Sequence, residues 1–246
     1  VAVIADAKEA LLELAKLVDQ KTHTEWLQKF RELETEEYEV VIENELYPSA
    51  EKLTMGEVIN EINLQSDQNN IVVTDVGQHQ MMSCRYFKFK QTKSMITSGG
   101  LGTMGFCLPA AIGAKMGQPN KQVVAVIGDG GFQMTLQELG TMFQYGVDVK
   151  IVVLNNEFLG MVRQWQEMFF EKRYASTTMV NPDFQTIVSG YGIATKKVEK
   201  RDELAFAVEE MLNHKGAYFL EAAVGQENNV FPMVPTGASV SEIRLK

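Results

Sequence analysis

Two oxygen-bearing side chains, Asp129 and Asn156, stand at the two ends of the stretch GDGGFQMTLQELGTMFQYGVDVKIVVLNN, residues 128–156. A carboxylate and an amide oxygen beside glycines with exposed backbone N–H groups suit a hard cation such as Mg2+. Such a cation in turn holds phosphate oxygens. The chemistry this pairing asks for is a metal-bridged diphosphate. Taken singly, Gly128–Gly130 also reads as a turn and Asn155–Asn156 as the start of a loop, since these residue types are ordinary turn formers. What sets them apart is the element between them.

Residues 122–127 (QVVAVI) and 149–154 (VKIVVL) are short, β-branched apolar runs, the pattern of strands buried on both faces. Between them, Thr135 and Glu138 have capping-box spacing. Leu136, Leu139, Met142 and Phe143 follow at helical intervals up to a C-capping Gly146. One β-α-β unit results, with parallel strands, so Asp129 and Asn156 leave the same edge of the sheet. Open α/β sheets bind their ligands at that edge. Residues 71–74 (IVVT) form a further buried strand that delivers Val76, Gly77, Gln78 and His79 there. A histidine at a strand end is by itself more often structural than a ligand.

Around this centre, strand and helix alternate. Residues 1–5 read as a strand, followed by an amphipathic helix, and residues 20–50 as a helix and then a surface linker. Thr54 and Glu57 form a second capping box, opening a helix with Met55, Val58, Ile59 and Ile62 inward. A short strand at 94–97 precedes the helix of Leu108, Ala111 and Ile112. A helix through Phe184, Ile187, Val188 and Tyr191 ends at Gly192. A strand at 194–198, a helix at 204–212 and a strand at 218–224 complete the order. The expected fold class is α/β, a doubly wound parallel sheet. Met161, Trp165, Met168 and Phe169 make a helical stripe that reads as core, with Trp165 also able to line a pocket. The Pro-containing tail at 228–235 is expected to leave the pattern and fold over the site.

Gly100, Gly102 and Gly105 satisfy G-x-G-x-x-G and raise a rival dinucleotide-binding reading. The strand ahead of them is short and polar, however, and the acid at the required distance, Asp129, sits between glycines as a metal ligand would.

Several further segments narrow the reading: TSGGLGTMGFCLPAA at 97–111, GQHQM at 77–81, GMVRQWQ at 160–166 and VFPMVP at 230–235. With G-D-G followed by N-N, they resemble the catalytic large subunit of acetohydroxyacid synthase (acetolactate synthase), over about residues 54–240. The resemblance implies thiamine diphosphate and Mg2+. The metal ligands would be Asp129, Asn156 and the Phe158 carbonyl. The cofactor would lie among Val76, Gly77, Gln78, His79, Gly102, Met104, Gly130, Gly131, Leu159, Gly160 and Met161. Met104 would prop the bent cofactor, Met161 would touch it, and Trp165 would narrow the pocket for the second substrate. The implied reaction condenses pyruvate with pyruvate or 2-oxobutyrate, releasing CO2, in branched-chain amino-acid biosynthesis. Cys107 and Met82 depart from the glycine and tryptophan usual in the family.

By the same resemblance, residues 1–19 are the end of a central domain, 20–53 a linker and 54–246 the diphosphate-binding domain with its tail. FAD is possible in the full-length protein. The site would be shared across a homodimer or larger assembly, with a small regulatory subunit possible, and the compartment would be the cytoplasm or an organelle stroma. The family's catalytic glutamate has no counterpart here, so the chain alone is expected to be inactive, and its start at Val1 reads as a segment of a longer protein. Another thiamine-diphosphate decarboxylase or carboligase would share Asp129 and Asn156 but not the Met-Val-Arg-Gln-Trp segment. A non-catalytic dimerisation module would have no use for them.

Composition agrees with a globular protein. Apolar residues make up 45% of the 246 and charged residues 22%, with a net charge of −9. That acidity argues against a nucleic-acid surface, and no apolar run reaches membrane-span length. Cys84 and Cys107 have no metal-ligand spacing, and a reduced intracellular setting is the simplest expectation.

Overall fold

The computed structural model describes residues 2–67, 69–226 and 229–246. Val1 and Asn228, which open the expected first strand and the carboxy-terminal tail, lie outside the described residues. Helix α1 (Ala7–Leu17) is capped by the Asp6 carboxylate, which accepts from the Lys8 and Glu9 N–H groups. Residues 2–5 form no strand and stand exposed, because a strand needs a neighbour for its ladder and none of the described residues pairs with them. The expected helix and linker at 20–50 are instead nearly continuous helix. α2 (Thr24–Glu37) runs through a π-helical turn (Tyr38–Ile42) into α3 (Glu43–Leu46).

Helix α4 (Met55–Gln65) begins at the anticipated capping box, with the Glu57 N–H donating to Thr54 Oγ1 and the Thr54 N–H to the Glu57 carboxylate. The order then runs β1 (Ile71–Thr74), α5 (Gln78–Tyr86), β2 (Met95–Ile96), α6 (Cys107–Gly117), β3 (Val123–Gly128), α7 (Asp129–Thr135), a 3-10 turn (Leu136–Glu138) and α8 (Leu139–Tyr145). It continues with β4 (Lys150–Asn155), α9 (Gly160–Phe169), α10 (Phe184–Ser189), β5 (Ala194–Val198), α11 (Arg201–Asn213) and β6 (Tyr218–Ala223). α10 ends at Gly190, two residues before the expected Gly192, which sits in the following turn.

The six strands are all parallel, in the order β2-β1-β3-β4-β6-β5. Period-two alternation sends Val72, Val124, Val126, Val152 and Leu220 to one face, under α4, α5 and α11. It sends Val73, Ala125, Ile127, Ile151, Val153 and Phe219 to the other, under α6, α7, α8 and α10. The sheet is thus doubly wound. From β1 the chain moves first outward to β2 and then back across to β3, so the order reverses between β1 and β3.

One helix boundary differs from expectation in a way that matters for the site. The helix after β3 begins at Asp129, not at Thr135. The Thr135 hydroxyl donates to the Gly105 carbonyl at 3.1 Å, and the Glu138 carboxylate accepts from Thr141, so neither closes a capping box. The expected Gly146 does end α8, in the left-handed conformation (φ 61°).

Candidate functional site

The reversal point places the ends of β1, β3 and β4 around one cleft. Asp75, just past β1, is fully buried. Its Oδ1 lies 2.5 Å from His79 Nε2, and its Oδ2 accepts from the Gly105 N–H at 2.8 Å. This one carboxylate therefore ties the strand end, the first turn of α5 and the glycine-rich loop together. The G-x-G-x-x-G of that loop follows only the two-residue edge strand β2, and its last glycine serves Asp75. Gly77 lies at φ 153°, and a Cβ there would come within 2.8 Å of the His79 ring. A side chain at Gly131 would collide with Asp75 Oδ2.

At the end of β3, Asp129 is buried. Its Oδ1 accepts from the Gly130 N–H at 3.0 Å, and its Oδ2 from the Glu157 N–H at 3.0 Å and Asn181 Nδ2 at 2.8 Å. Burial pushes its carboxyl above the ordinary aspartate range, while the Asn181 amide and the backbone donors pull it part of the way back. At the end of β4, Asn156 is buried too. Its Oδ1 accepts from the Phe158 N–H at 3.3 Å, and its Nδ2 lies 3.5 Å from Gln78 Oε1. The loop beyond it turns at Glu157 (φ 58°) and is held by residues 177–179. Leu159 N–H donates to the Thr177 carbonyl and Met179 N–H to the Glu157 carbonyl, each at 2.8 Å.

Of the residues singled out from the sequence, Val76, Gly77, Gln78, His79, Met104, Asp129, Gly130, Gly131, Asn156, Phe158, Leu159, Gly160 and Met161 all line this cleft. Two do not. Gly102 (φ 63°) lies on the exposed loop ahead of Met104, and Trp165 faces an adjoining groove with Val162, Gln166, Phe170 and Arg173. The apolar stripe of α9 is not core, as its spacing had suggested. The residues α9 buries are Arg163 and Gln164, while Met161, Trp165, Met168 and Phe169 stay partly open. The polar pair is buried because each finds partners. The Arg163 guanidinium lies between the Phe158 and Tyr174 rings and bonds Glu167 at 3.1 Å. Gln164 accepts from Gln78 Nε2 at 2.9 Å and exchanges two hydrogen bonds with the backbone of Val230. The tail thus braces the back of α9. Its residues are absent from the cleft lining among the described residues.

Asp75, Gln164 and Asn181 were not identified as site residues from sequence. Asp75 and Asn181 are polar residues in loops, where no periodicity marks them, and Gln164 lies on α9 outside the apolar stripe that periodicity picked out. The usable signal was the density of polar residues beside glycines at strand ends.

Residues 75–222 match the model of a known family, described as thiamine pyrophosphate enzyme, C-terminal TPP binding domain. The chain belongs to this family. Its relatives include the acetolactate synthase isozyme 2 large subunit of Escherichia coli (strain K12), 48% identical over 177 residues, which are 72% of this chain and 32% of the relative. The acetolactate synthase large subunit of Lactococcus lactis is 39% identical over 246 residues, 98% of this chain and 41% of the relative. A mitochondrial acetolactate synthase catalytic subunit of Saccharomyces cerevisiae is 37% identical over 243 residues, 98% of this chain and 35% of the relative. The chain therefore spans about a third to two-fifths of the length of these relatives.

As a thiamine-pyrophosphate domain, the cleft has donors that fit its cofactor. A Cβ on Gly160 would run into the Gln78 amide, and one on Gly130 would approach Leu159 Cδ2 to 2.9 Å, so both cleft-lining positions are crowded against a side chain. Among the described residues no group of three His, Cys, Asp or Glu side chains is placed to hold a metal ion. A cation here would rest on one carboxylate and neutral oxygens, the donor set Mg2+ uses when phosphate oxygens complete its shell.

Proposed function

We propose that this chain is the diphosphate- and Mg2+-binding part of an acetolactate synthase large subunit, in which pyruvate is joined to a second pyruvate or to 2-oxobutyrate with loss of CO2. The observation that carries this reading is the convergence of residues 76–79, 129–131 and 156–161 on one cleft at the sheet's reversal point. Asp129, the Asn156 side-chain oxygen and the Phe158 carbonyl would hold Mg2+. Val76 to His79, Gly130, Gly131 and Leu159 to Met161 would surround the diphosphate, and Met104 and Met161 would meet the rings. Gly102 and Trp165 flank the cleft, Trp165 where it would narrow the approach of the second substrate.

When bound, thiamine diphosphate would supply a nucleophilic carbon and a sink for the electrons released with CO2. The chain's own contribution is electrostatic and positional. Buried Asp129 offers fixed negative charge to the cation, and the Asp75–His79 pair locks the first turn of α5 against the glycine-rich loop. Asp129 is the one carboxylate lining the cleft among the described residues. The catalytic glutamate that the family resemblance implies would therefore come from elsewhere in the polypeptide or from a second copy. The large-subunit names of the bacterial relatives support a smaller partner subunit. No helix among the described residues is long and apolar enough to cross a membrane.

Acetolactate formation from pyruvate by the full-length polypeptide, with and without Mg2+ and thiamine diphosphate, tests this. Activity that requires both supports the reading. Release of only aldehyde and CO2 would make the protein a decarboxylase.

A further inference from the structure

An ionised carboxylate has about four acceptor directions, two on each oxygen. Among the described residues, Asp129 Oδ2 accepts from the Glu157 N–H and Asn181 Nδ2, and Oδ1 from the Gly130 N–H. One oxygen is filled and the other keeps a direction open. Asn181, in the loop before α10, is itself held on three sides. Its Nδ2 also donates to Asn155 Oδ1 at 2.9 Å, and its Oδ1 accepts from Gln133 Nε2 at 2.8 Å. The orientation of the amide follows from chemistry, since a carboxylate oxygen accepts and the Gln133 amide nitrogen donates.

The network extends to the neighbouring strand β6 and to α10. Asn155 Nδ2 donates to Glu221 Oε1 at 2.8 Å, and Gln185 Nε2 donates to the other oxygen of buried Glu221 at 2.9 Å. Asn181 therefore spans the ends of β3 and β4, one hydrogen on each.

We propose that Asn181 is a positioning residue for the cation: by occupying Asp129 Oδ2 and tying it to Asn155, it presents Asp129 as a one-oxygen ligand through Oδ1. The site is thereby set for a small cation over a larger one. Mg2+ takes single oxygens in near-octahedral geometry, whereas Ca2+ accepts both oxygens of a carboxylate and a looser shell. This inference rests on the Mg2+ site proposed above.

The test uses the full-length polypeptide, with thiamine diphosphate binding followed by calorimetry while Mg2+ or, separately, Ca2+ is titrated. Asn181→Ala is expected to raise the Mg2+ half-saturation about tenfold or more, as for other residues behind metal ligands. The Ca2+ half-saturation should move less, so the preference for Mg2+ narrows. Should the alanine variant fail to fold, Asn181→Leu, similar in volume and without a donor, is read in its place. An unchanged Mg2+ half-saturation would overturn the proposal. So would equal weakening of both cations, the mark of a structural role alone. Asp129→Ala is run alongside. If it keeps full Mg2+ dependence, the metal-site reading fails, and this inference with it.

Discussion

The cleft edge of the sheet and the amino-terminal helices invert the usual rule in opposite directions. At the edge, the buried side chains include Asp75, Gln78, His79, Asp129, Asn156 and Gln164, all polar. In α1 and α2, the exposed ones include Leu11, Leu14, Leu17, Trp26, Phe30 and Leu33, all apolar. The edge tolerates buried polarity because hydrogen-bond partners converge there from several elements. The helices expose apolar stripes because neither buries a single residue. Helices α1 and α4 sharpen the contrast: both have eleven residues and a side-chain N-cap, yet α4 seats Val58, Ile59 and Ile62 on the sheet. Capping starts a helix, and a facing surface is what buries it.

The contrast can be broken most severely at Asp129. Asp129→Ala should reduce acetolactate formation by the full-length enzyme by about a hundredfold or more, the scale of losing a charged group that positions the reaction. Melting temperature should fall as well, because the Gly130 and Glu157 N–H groups and the Asn181 amide lose their acceptor, offset in part by removal of a costly buried charge. Next comes a matched pair. Ile59→Ala in α4 should cost about 2–5 kcal/mol. Leu14→Ala in α1 should fall within about 0.5 kcal/mol. Equal thermal shifts for the two variants would show that α1 is as well supported as α4.

Gly131→Ala pushes a methyl group into Asp75 Oδ2 and should destabilise by about 1–3 kcal/mol, the range of overpacking. Cofactor affinity should fall with it, and Gly146→Ala, where nothing stands within 4 Å but φ is 61°, separates backbone strain from collision.

The smallest effect is with pH. The folded-state pKa of Asp129 is raised, so its ionised form costs stability at neutral pH, and that cost disappears as pH falls through the raised value towards the unfolded one. Cation binding needs the ionised form. The Mg2+ half-saturation should therefore rise on acidification, beginning above the pH at which an ordinary aspartate protonates. A flat profile through the acidic range would show that the hydrogen bonds outweigh burial.

Much of this was legible before any coordinates. The strands at 71–74 and 194–198 lie at the residues expected, and the Thr54–Glu57 capping box is present. The two ends of the β3-α7-β4 unit meet at one edge because parallel connection leaves no other arrangement. Thr135 misled because its spacing to Glu138 is a local signal, while its hydroxyl is taken by Gly105, about 30 residues away in sequence. The stripe of α9 misled for a related reason: periodicity says that a helix has two faces and not which one meets the core.

By itself the sequence determined the elements whose causes are local: apolar runs of strand length, helices opened by capping residues, and the glycines through which backbone can approach a ligand. It also determined the pairing of Asp129 with Asn156, since one crossover suffices to join them. Only the tertiary structure decided which polar residues could be buried, because burial is tolerated where partners arrive from distant segments. Asp75 waits on Gly105, Gln164 on Gln78 and Val230, and Asp129 on Asn181. The identity of a residue states how many hydrogen bonds it must make, and the fold alone supplies the groups that make them.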